Sequence, residues 1–317
     1  MAEIGRDVGR AIALLKAGEI VAIPTETVYG LAACISSDTA VRKIFEAKQR
    51  PFTDPLIVHV ASVDDVVPLV TDFPEMARKL MESFSPGPLT ILLPKSKLVS
   101  NLVTNNSPLV AIRIPAHPLA LELLRGLGEP IAAPSANPFG GISPTSAVHV
   151  QSGLGAKIPY ILDGGDCGIG LESTIVKIED NGKIRILRQG GISQEELQLF
   201  VSLDLDGIES TETVVPGSML SHYAPRKPLY LMEGELKTKQ ENIGWLRFNA
   251  LLPEVSHENQ IVLSPSGDLK EAGRNLFSAL HKLDSMSVDE IWAEKMPNHG
   301  IGRAINDRLF RASVKRA

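Results

Sequence analysis

Apolar residues recur at helical spacing in Val8, Ala11, Ile12, Leu14 and Leu15, which predicts a helix over residues 5–17. The run from Glu19 to Ile23 that follows is short, apolar and closed by Pro24, the pattern of a buried strand. Asp38 is placed to cap a helix that carries Val41, Ile44 and Phe45 on one face. Leu56 to Val60 reads as the next strand, with helical material expected from Val63 to about Phe84. Further strands are expected at 89–93, 109–114, 130–133, 159–162, 173–178 and 184–188, and helices at 118–126, 145–152 and 193–201. This alternation predicts an α/β domain, and the strand-rich stretch from 159 to 188 implies a mixed sheet.

Near residue 202 the pattern changes. Residues 203–213 are acidic and polar without a period, and they lead into Pro216–Pro225, rich in turn formers and ring side chains. Beyond it, apolar runs starting at Leu229, Ile243 and Ile261 alternate with helical 269–284 and 301–312. The expected organisation is a catalytic-size domain over 1–202, a linker and loop over 203–226, and a small second α/β domain over 227–317.

Composition narrows the function classes. The 32 Lys and Arg against 37 Asp and Glu give a net charge of -5, so overall charge is not expected to hold a nucleic acid tightly. Aromatics make up only 5%, too few for base-stacking platforms. Cys34 and Cys167 lack metal-ligand spacing and suggest no disulfide framework. Glu3, Arg6, Asp7 and Arg10 would interrupt a signal peptide's apolar region, and no apolar run approaches membrane-spanning length, so the cytoplasm is the expected location.

The candidate chemistry lies at strand ends. Pro24 to Gly30 places three hydroxyls and a carboxylate just after a strand, where open α/β sheets bind ligands; a polar strand-to-helix turn is the alternative. Lys48 and Arg50 at a helix end form either dipole partners or a phosphate clamp. His59, on a short buried strand, reads on its own as a satisfied core residue. Arg113 sits in an apolar strand and requires a carboxylate, from the fold or from a substrate. Ser135, Asn137, paired glycines and Ser143 form a loop suited to an anion or nucleotide, and Arg188 adds a cation at another strand end. The glycine-rich stretch 163–174 completes neither a P-loop nor G-x-G-x-x-G, so any ATP site uses another architecture.

Taken together, PTETVYGLAA, AKQRP, PLIVHV, PGPLTILL, RIPAHP, APSANPFGGISPT and LESTIV closely resemble the YrdC/Sua5 family over residues 5–200. PGSMLSHYAP, AGRNLFSALHKLD and GIGRAINDRLFRAS resemble its Sua5 C-terminal domain. The resemblance implies a YrdC-like twisted mixed sheet flanked by helices, plus a smaller Rossmann-like Sua5 domain. It also implies a nucleotidyltransferase that condenses L-threonine, bicarbonate and ATP into L-threonylcarbamoyl-adenylate with release of pyrophosphate. The product would serve threonylcarbamoyladenosine formation at position 37 of tRNA, through downstream transfer proteins. Mg2+ would accompany the ATP, with no organic cofactor and no protein metal site.

By the same resemblance, Lys48 and Arg50 would be the catalytic cations, and Thr25, His59, Arg113 and Ser173 would bind threonine. ATP would be met by Arg50, Asp54, Ser135, Asn137, Ser143, Arg188, His222 and Tyr223. Asp54 stands where family members often have asparagine. The loop bearing His222, Tyr223 and Arg226 would fold over the nucleotide as a lid. Two rivals stand beside this reading. A non-catalytic RNA-binding or ribosome-associated factor is disfavoured by the acidic total and the few aromatics. A carbamoyl-adenylate-forming hydrogenase-maturation relative would need cysteine-rich zinc segments that two cysteines cannot build.

Overall fold

The computed structural model describes residues 1–204, 215–217, 221–232 and 242–314. Eleven strands form the first sheet, with the outer edge at Glu3–Gly5 and the order Tyr160–Leu162, Val21–Ile23, Gly30–Cys34, Ile131–Ala132, Ile57–His59, Leu109–Arg113, Leu89–Pro94, Thr174–Ile178, Ile184–Arg188 and Leu203–Asp204 following it. Parallel and antiparallel pairs mix, as the sequence pattern implied: Ile57–His59 runs parallel to Leu109–Arg113 and antiparallel to Ile131–Ala132. One core, around Leu31, Ile44, Phe45, Val58, Ile91, Ile112 and Val176, fills one face of the sheet. A second, around Leu15, Val21, Leu123, Leu127 and Leu162, joins the first helix and Pro118–Leu127 to the other.

Three local expectations are revised. Ser37, not Asp38, caps the helix Asp38–Lys48: its hydroxyl accepts from the Ala40 N–H at 3.2 Å, and Asp38 lies in the first turn. The stretch 63–84 is not one helical segment but a 3-10 turn, Asp64–Leu69, and a helix, Glu75–Phe84; Pro68 and Pro74 cannot donate the hydrogen bonds a continuous helix needs. Pro24–Tyr29 is not a strand-to-helix turn, because Gly30–Cys34 is itself a buried strand antiparallel to Val21–Ile23. The polar segment is thereby the loop of a hairpin in the middle of the sheet.

The second sheet has four parallel strands in the order Leu229–Leu231, Glu290–Ala293, Ile243–Arg247 and Gln260–Val262. Helices Leu269–Ser285 and Gly302–Ser313 accompany it. The core of this part is continuous with the first: Val28, Ile142, Leu171 and Tyr223 pack with Leu276, Phe277 and Leu280. At Gly170 (φ 73°) a Cβ would stand 2.4 Å from the Arg274 carbonyl oxygen, so only glycine permits this approach. The rim ion pairs Lys270–Glu196 and Arg303–Glu195 are solvated and contribute little. No helix among the described residues is long and apolar enough to cross a membrane.

Where the two parts meet, the rings of His149 and His281 stack with centroids 4.0 Å apart and an interplanar angle of 17°. The His281 Nε2 lies 3.2 Å from the Ser143 carbonyl oxygen. Burial, and then the neighbouring His149, push the His281 pKa down to about 4. An unfolded chain takes up a proton near pH 6.5, whereas the folded one refuses it until about pH 4, so stability falls as pH drops through that window. His281→Gln removes this group's share. Calorimetric melting should show a smaller drop in Tm between pH 7 and pH 5 for the variant; an equal drop would contradict the assignment.

Candidate functional site

Three arginines reach one cavity from three different places, two of them strand ends of the first sheet and one the end of a helix. Arg50 follows the helix Asp38–Lys48, Arg113 ends the strand Leu109–Arg113, and Arg188 ends Ile184–Arg188. All three line one cavity together with Thr25, Thr27, His59, Ser135, Glu172, Ser173, Pro216, Gly217, His222 and Tyr223, among others. Each arginine is less than a tenth exposed. Buried charges persist only with partners, and each of these has them.

Arg113 answers the question its strand posed. A carboxylate from the fold meets it: Nη2 donates to Glu26 at 2.6 Å, Nη1 to the Thr27 hydroxyl at 2.8 Å and Nε to the Gly87 carbonyl at 3.2 Å. Of five N–H groups, two have no partner among the described residues. Thr25 closes the hairpin loop by donating to the Val28 carbonyl at 2.6 Å and sharing a 2.8 Å bond with Thr27. His59 lies on the neighbouring strand, paired with Arg113 in register. Its Nδ1, 3.2 Å from the Ile57 carbonyl, is assigned as the donor, which gives Nε2 the lone pair. Burial and the adjacent Arg113 lower its pKa to about 3, so the ring is neutral at pH 7.

On the other side, Arg188 donates through Nε and Nη2 to the Ser173 carbonyl and through Nη1 to the Pro216 carbonyl at 2.8 Å. Gly190 permits this: a Cβ there would sit 2.4 Å from the Glu172 carbonyl oxygen. The Ser173 hydroxyl shares a 2.7 Å bond with Thr90 and accepts from Arg188 at 3.1 Å. Arg50 donates to the Asp54 and Pro55 carbonyls and stands 2.8 Å from the Asp54 carboxylate. Burial raises the Asp54 pKa, with Arg50 and Lys48 opposing that.

Four of the residues expected at the site lie beside the cavity without lining it. Lys48 donates its ammonium protons to the carbonyls of Ser135 and Asn137, at 2.5 and 2.6 Å, and so pins the loop that presents Ser135. Burial, then Arg50, lower its pKa. Asp54 is held by Arg50. The Asn137 side-chain amide donates to the Pro138 and Gly141 carbonyls, while its Oδ1 is buried with no partner. Ser143 donates to Glu172 at 2.6 Å.

His222 and Tyr223 cover the cavity, Tyr223 in the left-handed region at φ 61° with its ring packed on His222 and Phe277. Burial lowers the His222 pKa, and the nearby Arg50 and Lys48 add to it. Arg226 departs from the expected lid: its side chain is 81% exposed and bound to Asp284 at 2.9 Å, away from the cavity. Residues 205–214 and 218–220 of the expected linker and lid lie outside the described residues.

Sequence reasoning missed Glu26, Thr27, Thr90 and Arg308 as site partners. Arg308 carried a signal: on the helix Gly302–Ser313 it falls in the apolar stripe Ala304, Ile305, Leu309 and Ala312, where a cation requires a buried anion. That anion is Glu172, 2.8 Å away.

Converging cations and hydroxyls at the strand ends of a mixed sheet, closed over by a second small α/β unit, define an anion-binding α/β protein with a YrdC-like fold. E. coli YciO, at 21% identity and a TM-score of 0.54, shares that fold over 60% of this chain and 96% of its own. The chain belongs to the Sua5/YciO/YrdC family. Residues 13–190 match the Sua5_yciO_yrdC family model, described as telomere recombination. Residues 192–314 match the one described as threonylcarbamoyl-AMP synthase, C-terminal domain. The Bacillus subtilis threonylcarbamoyl-AMP synthase is 41% identical over 96% of this chain and 92% of its own. The crystal structure of Pyrococcus abyssi Sua5 complexed with L-threonine superposes with a TM-score of 0.88 at 36% identity, covering 99% of this chain and 97% of that one.

Lys48→Met keeps the side-chain stem and removes the two donations. Orphaning buried carbonyls costs about 2 kcal/mol, roughly thirtyfold in local opening. Hydrogen exchange at the Phe139 and Gly141 amides, which bond to Lys48 and Pro138 carbonyls, should accelerate by at least tenfold. Unchanged exchange would mean the loop is held by other contacts.

Proposed function

We propose that this chain is a threonylcarbamoyl-AMP synthase, condensing L-threonine, bicarbonate and ATP with release of pyrophosphate. The observation that carries the reading is the single cavity shared by Arg50, Arg113 and Arg188, with neutral His59 beside Arg113. One end suits an amino acid and the other a polyphosphate. The names of the full-length relatives and the threonine-bound P. abyssi structure support the same activity.

In this reading the threonine carboxylate takes the two remaining Arg113 N–H groups. The Nε2 lone pair of His59 faces the amine, and Thr25 and Ser173 read the amine and hydroxyl. With its pKa near 3 His59 cannot keep the amine's proton, which passes to solvent; the nitrogen then attacks carbon as a C=O π bond of CO2 opens, or as water leaves bicarbonate, to give the carbamate. The new carbamate oxygen then attacks the α-phosphorus, and the bond to pyrophosphate breaks. Arg50 and Arg188 offset the charge that builds at phosphorus and on the leaving group. Ser135 contacts the phosphates directly. Lys48, Asn137, Ser143 and Asp54 act from behind as loop pins and counter-charges, and His222 and Tyr223 exclude water from a hydrolysable product.

Magnesium enters here with its substrate. No group of three or more His, Cys, Asp or Glu among the described residues has metal-site geometry, and Asp54 is engaged by Arg50. The residues do not form a protein cage, and an ATP-borne ion that keeps most of its waters fits the site better. The product passes to downstream tRNA threonylcarbamoyl-transfer proteins in the cytoplasm, without tight tRNA binding by this chain.

Pyrophosphate release should require ATP, threonine and bicarbonate together, and Arg113→Ala should abolish saturation by threonine. Release that persists when threonine or bicarbonate is omitted would contradict the reaction. An unaltered threonine dependence in the variant would contradict the orientation of the amino acid.

A further inference from the structure

Arg308 lies outside the cavity, on the second part's last helix, yet it is fully buried and touches three segments that shape the cavity. Its Nε donates to Glu172 Oε2 at 2.8 Å, and Nη2 donates to the Gln189 carbonyl at 2.8 Å, one residue past Arg188. Its guanidinium lies 4.9 Å from the centroid of the Tyr223 ring. The other Glu172 oxygen accepts the Ser143 hydroxyl at 2.6 Å, so the arginine's hold extends to the glycine-rich loop. Asp307 takes the remaining Nη1 at 2.5 Å.

Glu172 lines the cavity, next to Ser173, Arg188 and Tyr223. Left alone it would be an acidic wall facing the polyphosphate. Burial would favour its neutral form, but Arg308 and Arg188, with the Ser143 hydrogen bond, hold its pKa below the usual carboxylate range. The carboxylate therefore stays charged, and a cation must cancel it. Arg188 acts on it only through space, whereas Arg308 is bonded to it directly at 2.8 Å, so that task falls mainly to Arg308.

We propose that Arg308 is a positioning residue of the nucleotide site: by neutralising Glu172, the second domain makes the first domain's cavity able to accept ATP, while the contacts with Gln189 and Tyr223 hold the guanidinium in place for that task. This rests on the synthase reading for its nucleotide, though not for its geometry. It gives the C-terminal domain an electrostatic task in addition to covering the site. The effect is directional, because among the described residues Arg308 bonds to Glu172, Asp307 and Gln189 and to none of Thr25, His59, Arg113 and Ser173, where threonine is assigned.

The test uses the full chain and four proteins: wild type, Arg308→Met, Glu172→Gln and the double variant. ATP affinity is measured by calorimetry, and KM for ATP and for threonine by pyrophosphate release. Arg308→Met should weaken ATP binding and raise its KM at least tenfold, while the threonine KM moves less than threefold. Removing the orphaned carboxylate as well should rescue ATP affinity to within threefold of Glu172→Gln alone. A folded Arg308→Met that binds ATP like wild type would overturn the proposal, as would a double variant no better than Arg308→Met. If Arg308→Met does not fold, the double variant, which carries no orphaned charge, decides: affinity more than tenfold below that of Glu172→Gln overturns it. A wild type that binds ATP but releases no pyrophosphate with threonine and bicarbonate counts against the synthase reading alone. Normal turnover with an unaffected Arg308→Met counts against the positioning role alone.

Discussion

Burying several cations around one cavity is the constraint on which the rest of this structure depends. Lys48, Arg50, Arg113, Arg188 and Arg308 are each less than a tenth exposed. An unpartnered charge in that position costs several kcal/mol, so each must find acceptors before any ligand arrives. Four carboxylates, Glu26, Asp54, Glu172 and Asp307, supply part of the compensation. Backbone carbonyls supply much of the remainder: Gly87, Pro55, Ser135, Asn137, Ser173, Pro216 and Gln189. Five cations against four carboxylates leave the site electropositive, which is the state in which a polyanionic substrate is attracted.

This requirement explains the architecture around the cavity. Carbonyl groups are free to accept where strands end and loops begin, so the cations collect there. The central hairpin, Val21–Ile23 with Gly30–Cys34, brings Glu26 and Thr27 to Arg113. The second α/β unit then supplies the cation that the first lacks, through Arg308, and packs Tyr223 and Phe277 over the opening. Tyr223 holds a left-handed backbone that a non-glycine residue adopts at a cost of about 1–3 kcal/mol. Its buried ring, stacked between domains, offsets that cost.

Much of the fold was legible in the sequence because buried strands and amphipathic helices leave clear periods, as at Ile57–His59, Leu109–Arg113 and Leu269–Ser285. Gly30–Cys34 was not legible: it follows a polar loop directly, and its small residues GLAAC carry no alternation because both faces are buried. The 63–84 stretch misled because its apolar spacing continues across Pro68 and Pro74. Arg113 was legible from the sequence, since a charged group in an apolar strand must have a partner, whereas Arg50, Arg188 and His59 were placed at the site only through the family resemblance, His59 reading on its own as a core residue. The partners themselves were not legible, for Glu26, Glu172 and Arg308 meet their counter-charges across separations of 87 and 136 residues. Nor did spacing distinguish residues that line the cavity, such as Ser135, from those that brace it, such as Lys48 and Ser143. That difference depends on which way a loop turns.

The central claim is that one cavity holds an amino acid beside the α-phosphate of a nucleotide. A crystal structure of the protein with L-threonine and a non-hydrolysable ATP analogue tests it most directly. The account predicts the threonine carboxylate on Arg113, its nitrogen toward His59, and the triphosphate between Arg50 and Arg188. Ligands in separate cavities, or a triphosphate that touches neither arginine, would contradict it.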